Sequence, residues 1–188
     1  MQKISGHIIT AGFLTLSFLL ALALAFCGCI TTPVPPASVE ASSQAQLWKT
    51  YHLEDVTTQA SFNISSLSGK PVLLYAFTIS CPVCTRQQQE IALLRKEAGE
   101  SFYAVGLDID PNEDASSLRE HIQKNGFYGY YALSPLEMTQ SLLDEFGIEV
   151  ITPASAPMIL VLPDGTAKKL QSNIKSAAYL RQEMGLPA

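Results

Sequence analysis

Two cysteines, Cys81 and Cys84, stand three positions apart in the stretch FTISCPVCTRQQQEI, Phe77 to Ile91. Thiols at that spacing can exchange disulfides, hold half of a metal site, or sit inert in a core. A structural zinc takes four Cys or His ligands. Beyond the pair the domain offers only His52 and His121, neither at ligand spacing. A permanent, inert disulfide is the other bland outcome in an oxidising compartment. The flanking residues favour redox chemistry. VLLYAF, Val72 to Phe77, is a short continuous apolar run after the turn signal Ser68-Gly69-Lys70-Pro71, the pattern of a strand covered on both faces. Pro82 suits the first turn of a following helix. The unpaired N–H groups and the dipole at a helix N-terminus favour negative charge. A thiolate at Cys81 is therefore stabilised, and its pKa is expected below that of a free cysteine. Cys84, one turn along, is placed to resolve a mixed disulfide formed by Cys81. Pro82 and Val83 fill the first turn of that active-site helix.

The elements that must position the pair follow from periodicity. Cys84, Ile91, Leu94 and Ala98 fall on one helical face, and Gly99 is a stop. Phe102 to Ile109 predicts a second buried strand, and Ala115, Leu118 and Ile122 another helix, ended by Asn125-Gly126. Ser134, Pro135 and Glu137 predict a capped helix start with a capping box. Leu136, Thr139, Leu142, Leu143 and Phe146 follow at helical spacing. Met158 to Leu162 predicts a third strand, joined through Pro163-Asp164-Gly165 to a partner over Ala167 to Gln171. A last helix covers about Ser176 to Met184. Strands alternate with helices, and a hairpin and a helix close the chain. This is an α/β fold with a central mixed β-sheet flanked by helices.

Upstream of this domain, no Lys, Arg, Asp or Glu appears between Lys3 and Glu40, and Ile8 to Ile30 is almost wholly apolar. Residues 1–30 therefore predict a secretory or lipoprotein signal, or a membrane anchor. The segment ends in AFCGC, which resembles a prokaryotic lipobox and makes Cys29 the expected lipidation site. Residues 31–46, rich in Pro, Ser, Thr and Ala, predict a semi-stiff tether. The globular domain is expected over 47–188. The expected location is the extracytoplasmic face of a membrane, held through the N-terminus. The net charge of −5 and the lack of a basic block argue against nucleic acid as a partner.

Several blocks in order make the chain resemble the thioredoxin-like superfamily. Within it, the chain is most similar to the membrane-tethered TlpA/ResA-type thiol–disulfide oxidoreductases, which belong to the wider redoxin group. Tyr51 to Leu67 with Ser68-Gly69-Lys70-Pro71 resembles the leading hairpin of that family. Val72 to Cys84 resembles the strand that delivers its CxxC. GLDIDPNED, Gly106 to Asp114, resembles the opening of its central βα insertion. Phe146-Gly147-Ile148 and Ala156-Pro157 followed by MILVLPDG resemble its proline loop and closing hairpin. The resemblance implies a cis Pro157 beside the CxxC, with the backbone of Ala156 docking the substrate chain; Pro153 is the competing proline. It implies thiol and disulfide partners among exported proteins, a membrane redox partner, a monomer, and no cofactor or metal beyond the Cys81–Cys84 couple. A reductive role, as in cytochrome c maturation, is also implied by the family.

The sequence departs from the family pattern at three places. Ser80 replaces the usual Trp before the first cysteine, Tyr75 stands where thioredoxins carry a buried Asp, and Pro82-Val83 lacks the Glu of the ResA type. No acid–base group for Cys84 is assigned by motif, and Glu90 reads as part of a solvated helix face. Two alternatives remain at this point. Thr78 three before Cys81 suggests a peroxiredoxin-type thiol peroxidase, although Leu74 stands where its proline belongs. A thioredoxin-fold lipoprotein that only binds a partner is the other. Asp108, Asp110, Glu113 and Asp114 lack the glycine and terminal Glu of a calcium loop and read instead as a strand end and a helix cap. The aromatic run Phe127 to Tyr131 reads either as a substrate-facing patch or as packing.

Overall fold

The computed structural model describes residues 46–187. The signal or anchor over 1–30 with Cys29, and nearly all of the tether over 31–46, lie outside the described residues. Among the described residues, no helix is long and apolar enough to cross a membrane.

The all-apolar strand β3 (Val72–Phe77) lies in the middle of a five-stranded sheet. Strands β4 (Tyr103–Asp108), β5 (Tyr130–Leu133), β6 (Ile159–Val161) and β7 (Ala167–Lys169) complete it in the order β5-β4-β3-β6-β7. β3 pairs parallel with β4, from Val72↔Tyr103 to Phe77↔Asp108, and β4 pairs parallel with β5. β6 runs antiparallel to β3 through Leu73↔Leu160, and β7 antiparallel to β6. A separate two-stranded ladder, β1 (Leu53–Glu54) with β2 (Ser61–Phe62), forms the leading hairpin.

Alternation along β3 explains why both faces are dry, because successive side chains in a strand point to opposite faces. Leu73, Tyr75 and Phe77 pack with Cys84, Ile91 and Leu94 of helix α1 (Pro82–Ala98), Leu118 and Ile122 of α2 (Ala115–Asn125), and Leu180 of α4 (Ala177–Glu183). Val72 and Leu74 pack on the other face with Trp48, Val150, and Met138 and Leu142 of α3 (Leu136–Phe146). The mixed sheet flanked by helices is the expected fold class. α1 ends at Gly99, whose φ of 57° suits glycine. α2 is capped by Asp114, whose Oδ1 accepts the N–H groups of Ser116 and Ser117. The acidic stretch thus serves as a strand end and a cap.

The start of α3 differs from expectation. Pro135 precedes the helix as its N-cap, and no side chain caps it. Ser134 continues β5 against β4, since its N–H donates to Asp108 O, and its hydroxyl pairs with Thr139 Oγ1 at 2.8 Å. The buried face is turned as well. Met138, Ser141 and Leu142 face the core, whereas Leu136 is 78% exposed. Of the aromatic run, Phe127 and Tyr131 are buried packing residues, and Tyr128 is exposed. Gly106 is required by that packing. A Cβ there would stand 2.8 Å from the Tyr131 ring and 3.0 Å from that of Phe77.

Candidate active site

The sheet delivers the cysteines at the C-terminal end of its central strand. After Phe77 the chain turns through Thr78–Ser80, and the Cys81 N–H closes the turn on Thr78 O at 3.2 Å. The Ile79 N–H is fixed at 2.8 Å on Glu113 Oε2, from the loop ahead of α2. Thr78 Oγ1 faces Ser80 Oγ at 3.4 Å. Cys81 is the N-cap of the 17-residue helix α1, with Pro82 in its first turn. The Cys81 sulfur accepts the N–H of Cys84 at 3.2 Å. It thus satisfies one of the free amides at the helix start, as a capping oxygen does elsewhere.

Cys81 and Cys84 are joined in a disulfide with their Cα atoms 5.3 Å apart. Cys84 is 3% exposed, whereas Cys81 is only half-buried. A more exposed first cysteine and a sheltered second one match the asymmetry that attack and resolution require. The pair therefore occupies the predicted position on the predicted elements.

The other wall of the site corrects the sequence reading. No cis peptide bond occurs among the described residues, so the bond before Pro157 is trans, the lower-energy form of an X–Pro bond. Pro157 is buried beside Leu74, Ala76 and Met158. The turn that meets the disulfide is Pro153–Ser155, and the Pro153 carbonyl oxygen lies 3.3 Å from Cys84 Sγ. Ala156 closes this turn in the left-handed conformation, φ 48° and ψ 57°. A non-glycine residue there is strained by roughly 1 kcal/mol or more. Two hydrogen bonds hold it. Its N–H donates to Pro153 O at 2.9 Å, and its carbonyl accepts the Lys175 ammonium at 2.7 Å. With both backbone groups engaged, Ala156 presents no free edge to a docking chain in this conformation.

Lys175 is 1% exposed. Its Nζ also donates to Asn173 O at 2.6 Å. Its backbone is clamped by Gln87 of α1, which accepts the Lys175 N–H at 2.7 Å and donates to Lys175 O at 3.0 Å. Burial lowers the Lys175 pKa to about 8. Sequence reasoning missed both residues for identifiable reasons. Gln87 lies in the polar run QQQ, and Lys175 is a single charge in a polar connection; both patterns ordinarily face water. Glu90, read as solvated, in fact caps α4 by accepting the Ala177 N–H at 2.9 Å.

Tyr75, at the position of the buried Asp in thioredoxins, points into the core. Its hydroxyl bonds that of Tyr131 at 2.9 Å. Burial, followed by the Tyr131 phenol, pushes its pKa well above the ordinary value, so it stays neutral and supplies no charge. A buried acid is found one strand away instead. Asp108, opposite Phe77 at the end of β4, is 2% exposed. Its Oδ1 accepts the Asp110 N–H at 3.1 Å, while Oδ2 is buried without a donor. Burial raises its pKa to about 7, opposed by the Asp110 amide and reinforced by the nearby Glu113 carboxyl. Asp108 and Glu113 line a cavity of ≈ 250 Å³ with Leu133, Leu136 and Thr139. An open recess of ≈ 420 Å³ reaches from Ile79 and Thr85, on either side of the CxxC, to His121 and Lys124 of α2. Among the described residues, no group of three or more His, Cys, Asp or Glu is placed to hold a metal ion.

A central parallel βαβ unit, a closing β-hairpin and helix, and a disulfide at the strand-to-helix turn define the thioredoxin-like class. Within it, the chain belongs to the Redoxin family, whose model matches residues 32–174. Solved structures share the architecture. A secreted Mycobacterium tuberculosis disulfide oxidoreductase, described as homologous to E. coli DsbE, superposes with a TM-score of 0.58 at 16% identity, covering 74% of this chain and 98% of that one. A thioredoxin-family thiol:disulfide interchange protein from Chlorobium tepidum gives 0.62 at 18% identity, covering 72% and 90%. A secreted thiol-disulfide isomerase from Corynebacterium glutamicum gives 0.60 at 13% identity, covering 71% and 80%. At these identities the likeness is one of fold. None of the curated protein sequences matches the chain.

Proposed function

We propose that this Redoxin-family protein is a TlpA/ResA-type thiol–disulfide oxidoreductase. It acts on exported proteins at the extracytoplasmic face of a membrane, to which its N-terminus holds it, by a lipid on Cys29 or by an uncleaved anchor. The observation that carries the reading is the Cys81–Cys84 disulfide at the N-terminus of α1, with the Cys81 sulfur accepting the Cys84 amide. Two of the structural neighbours are described as secreted, which supports the location.

In the reduced protein, the helix start favours the thiolate of Cys81. Cys84 faces the Pro153 carbonyl, an acceptor that favours the protonated thiol. Cys81 is therefore the nucleophile. Its thiolate attacks one sulfur of a substrate disulfide, forming a Cys81–substrate bond and releasing the other substrate sulfur as a thiolate, which takes up a proton. Cys84 then loses its proton and attacks the Cys81 sulfur. The Cys81–Cys84 bond forms and the second substrate thiol leaves. Two electrons pass from the dithiol to the substrate, and no organic cofactor or metal enters the exchange. A membrane dithiol partner returns the electrons. The family resemblance supports the reductive direction, as in cytochrome c maturation. Substrate is received beside the exposed Ser80 and Pro82, against the Pro153–Ser155 turn.

Reduction of insulin disulfides by dithiothreitol tests the activity. The wild-type protein is expected to accelerate precipitation of the insulin B chain, and Cys81→Ser to abolish the effect. Equal rates with and without the wild-type protein would sink the reading.

A further inference from the structure

Given the exchange reaction proposed above, we propose that Lys175 is a positioning residue of the site: it pins the Pro153–Ala156 turn against Cys84 and supplies the positive charge that favours the Cys81 thiolate. A chain of contacts links it to the sulfur. The Lys175 ammonium holds Ala156 O at 2.7 Å, the Ala156 N–H holds Pro153 O at 2.9 Å, and Pro153 O meets Cys84 Sγ at 3.3 Å. These links and one residue of backbone put the ammonium on the order of 10 Å from the sulfurs. From the other side, Gln87 ties the Lys175 backbone to the helix that begins at Cys81. The lysine thus joins the two halves of the site, the CxxC helix and the turn that covers its second sulfur.

Lys175 makes no ion pair among the described residues. Charged groups on the elements packed around it bond other partners or face water. On α1, Glu90 caps α4 and Arg86 is exposed. Ahead of the turn, Glu149 pairs with Lys169. Burying an unpaired ammonium is unfavourable. Here two neutral partners, the carbonyls of Ala156 and Asn173, replace its water, and Gln87 satisfies the backbone of the same residue. Reduction of the disulfide places a thiolate within reach of this cation, and the attraction is absent while the disulfide is intact. At an effective dielectric of 20, a unit charge at about 10 Å favours the thiolate by about tenfold.

The test is a titration of the reduced protein, following thiolate absorbance at 240 nm in the wild type and in Lys175→Met, Lys175→Gln and Lys175→Arg. Met and Gln are expected to lower the thiolate-to-thiol ratio of Cys81 about tenfold at a given pH, and Arg to stay within about threefold of the wild type. A role in packing alone predicts the same change for Arg as for Met, and that result would overturn the proposal. So would a ratio unchanged in Met and Gln. A second measurement needs no variant. Coupling between two sites is reciprocal, so the Lys175 side chain, followed by carbon NMR, must titrate about tenfold more weakly acidic in the reduced protein than in the oxidised one. Identical titration in both states overturns the proposal even if no variant folds. Failure of the underlying reaction looks different: the wild-type pair would not equilibrate with a glutathione redox buffer.

Discussion

Asp108→Asn should flatten the pH dependence of stability. Asp108 is buried at the end of β4, one oxygen without a donor, and its pKa is raised from 3.8 to about 7 by burial, with Glu113 adding to the effect. A carboxyl whose folded pKa is raised binds its proton more tightly folded than unfolded. Stability is then greatest below the unfolded pKa and falls as pH rises toward the folded one, about one proton's worth per pH unit. Between pH 5.5 and 7.5 the unfolded chain is already ionised at this position, and the folded one becomes so only near the top of the range. Integrated over that window, the wild type loses about 2 kcal/mol through this group. Asn has no proton to lose. Burial depresses His121, which contributes with the opposite sign: its stability term rises with pH up to 6.5. That term is common to both proteins and cancels in the difference. Urea denaturation of the oxidised proteins, read by the single, fully buried Trp48, measures it. The variant should lose about 2 kcal/mol less than the wild type across the window. Parallel pH profiles for the two proteins would show that Asp108 is ionised in the fold throughout, and would refute the reasoning.

Other substitutions probe the framework around the disulfide. Gly106→Ala pushes a Cβ into the Tyr131 ring and should destabilise by about 1–3 kcal/mol in denaturant titration. Gln87→Leu strands the N–H and carbonyl of buried Lys175. It should cost about 2 kcal/mol, seen as a melting temperature lower by about 4–8 °C. Tyr75→Phe removes one neutral hydroxyl contact with Tyr131 and should cost about 1 kcal/mol. Its insulin-reduction rate should stay within about twofold of the wild type, since a core phenol bonded to Tyr131, with its pKa raised well above the ordinary value, is a poor proton donor at neutral pH; a tenfold loss would assign Tyr75 a part in catalysis.

Much of this architecture is legible in the sequence because local signals and tertiary packing agree. VLLYAF can only be comfortable between two layers, and it lies there. Gly99 and Gly126 end helices at the residues expected. Cys81 caps α1 because a strand must give way to a helix between Phe77 and Pro82. What escaped the sequence depends on contacts between distant segments. The start of α3 resembles a capping box, yet Ser134 is drawn into the end of β5 by Asp108 O, which leaves Pro135 as the cap. Ala156-Pro157 matches a family motif. The turn closed by Pro153 and held by Lys175 sets its backbone instead, and Lys175 lies 19 residues from Ala156 in the chain. Gln87 and Lys175 are polar residues made structural by meeting each other across 88 positions. No window of local sequence contains that pairing.

The central claim is that Cys81 attacks and Cys84 resolves. Trapping tests it most directly: the full-length Cys84→Ser protein is expressed in a bacterial cell, free thiols are blocked with alkylating agent, and envelope proteins are separated without reductant. Without its resolving thiol, the variant should accumulate disulfide-linked adducts with exported proteins. These should disappear on reduction and be absent from the Cys81→Ser/Cys84→Ser double variant. A Cys84→Ser protein that carries no more adducts than the double variant would contradict the account.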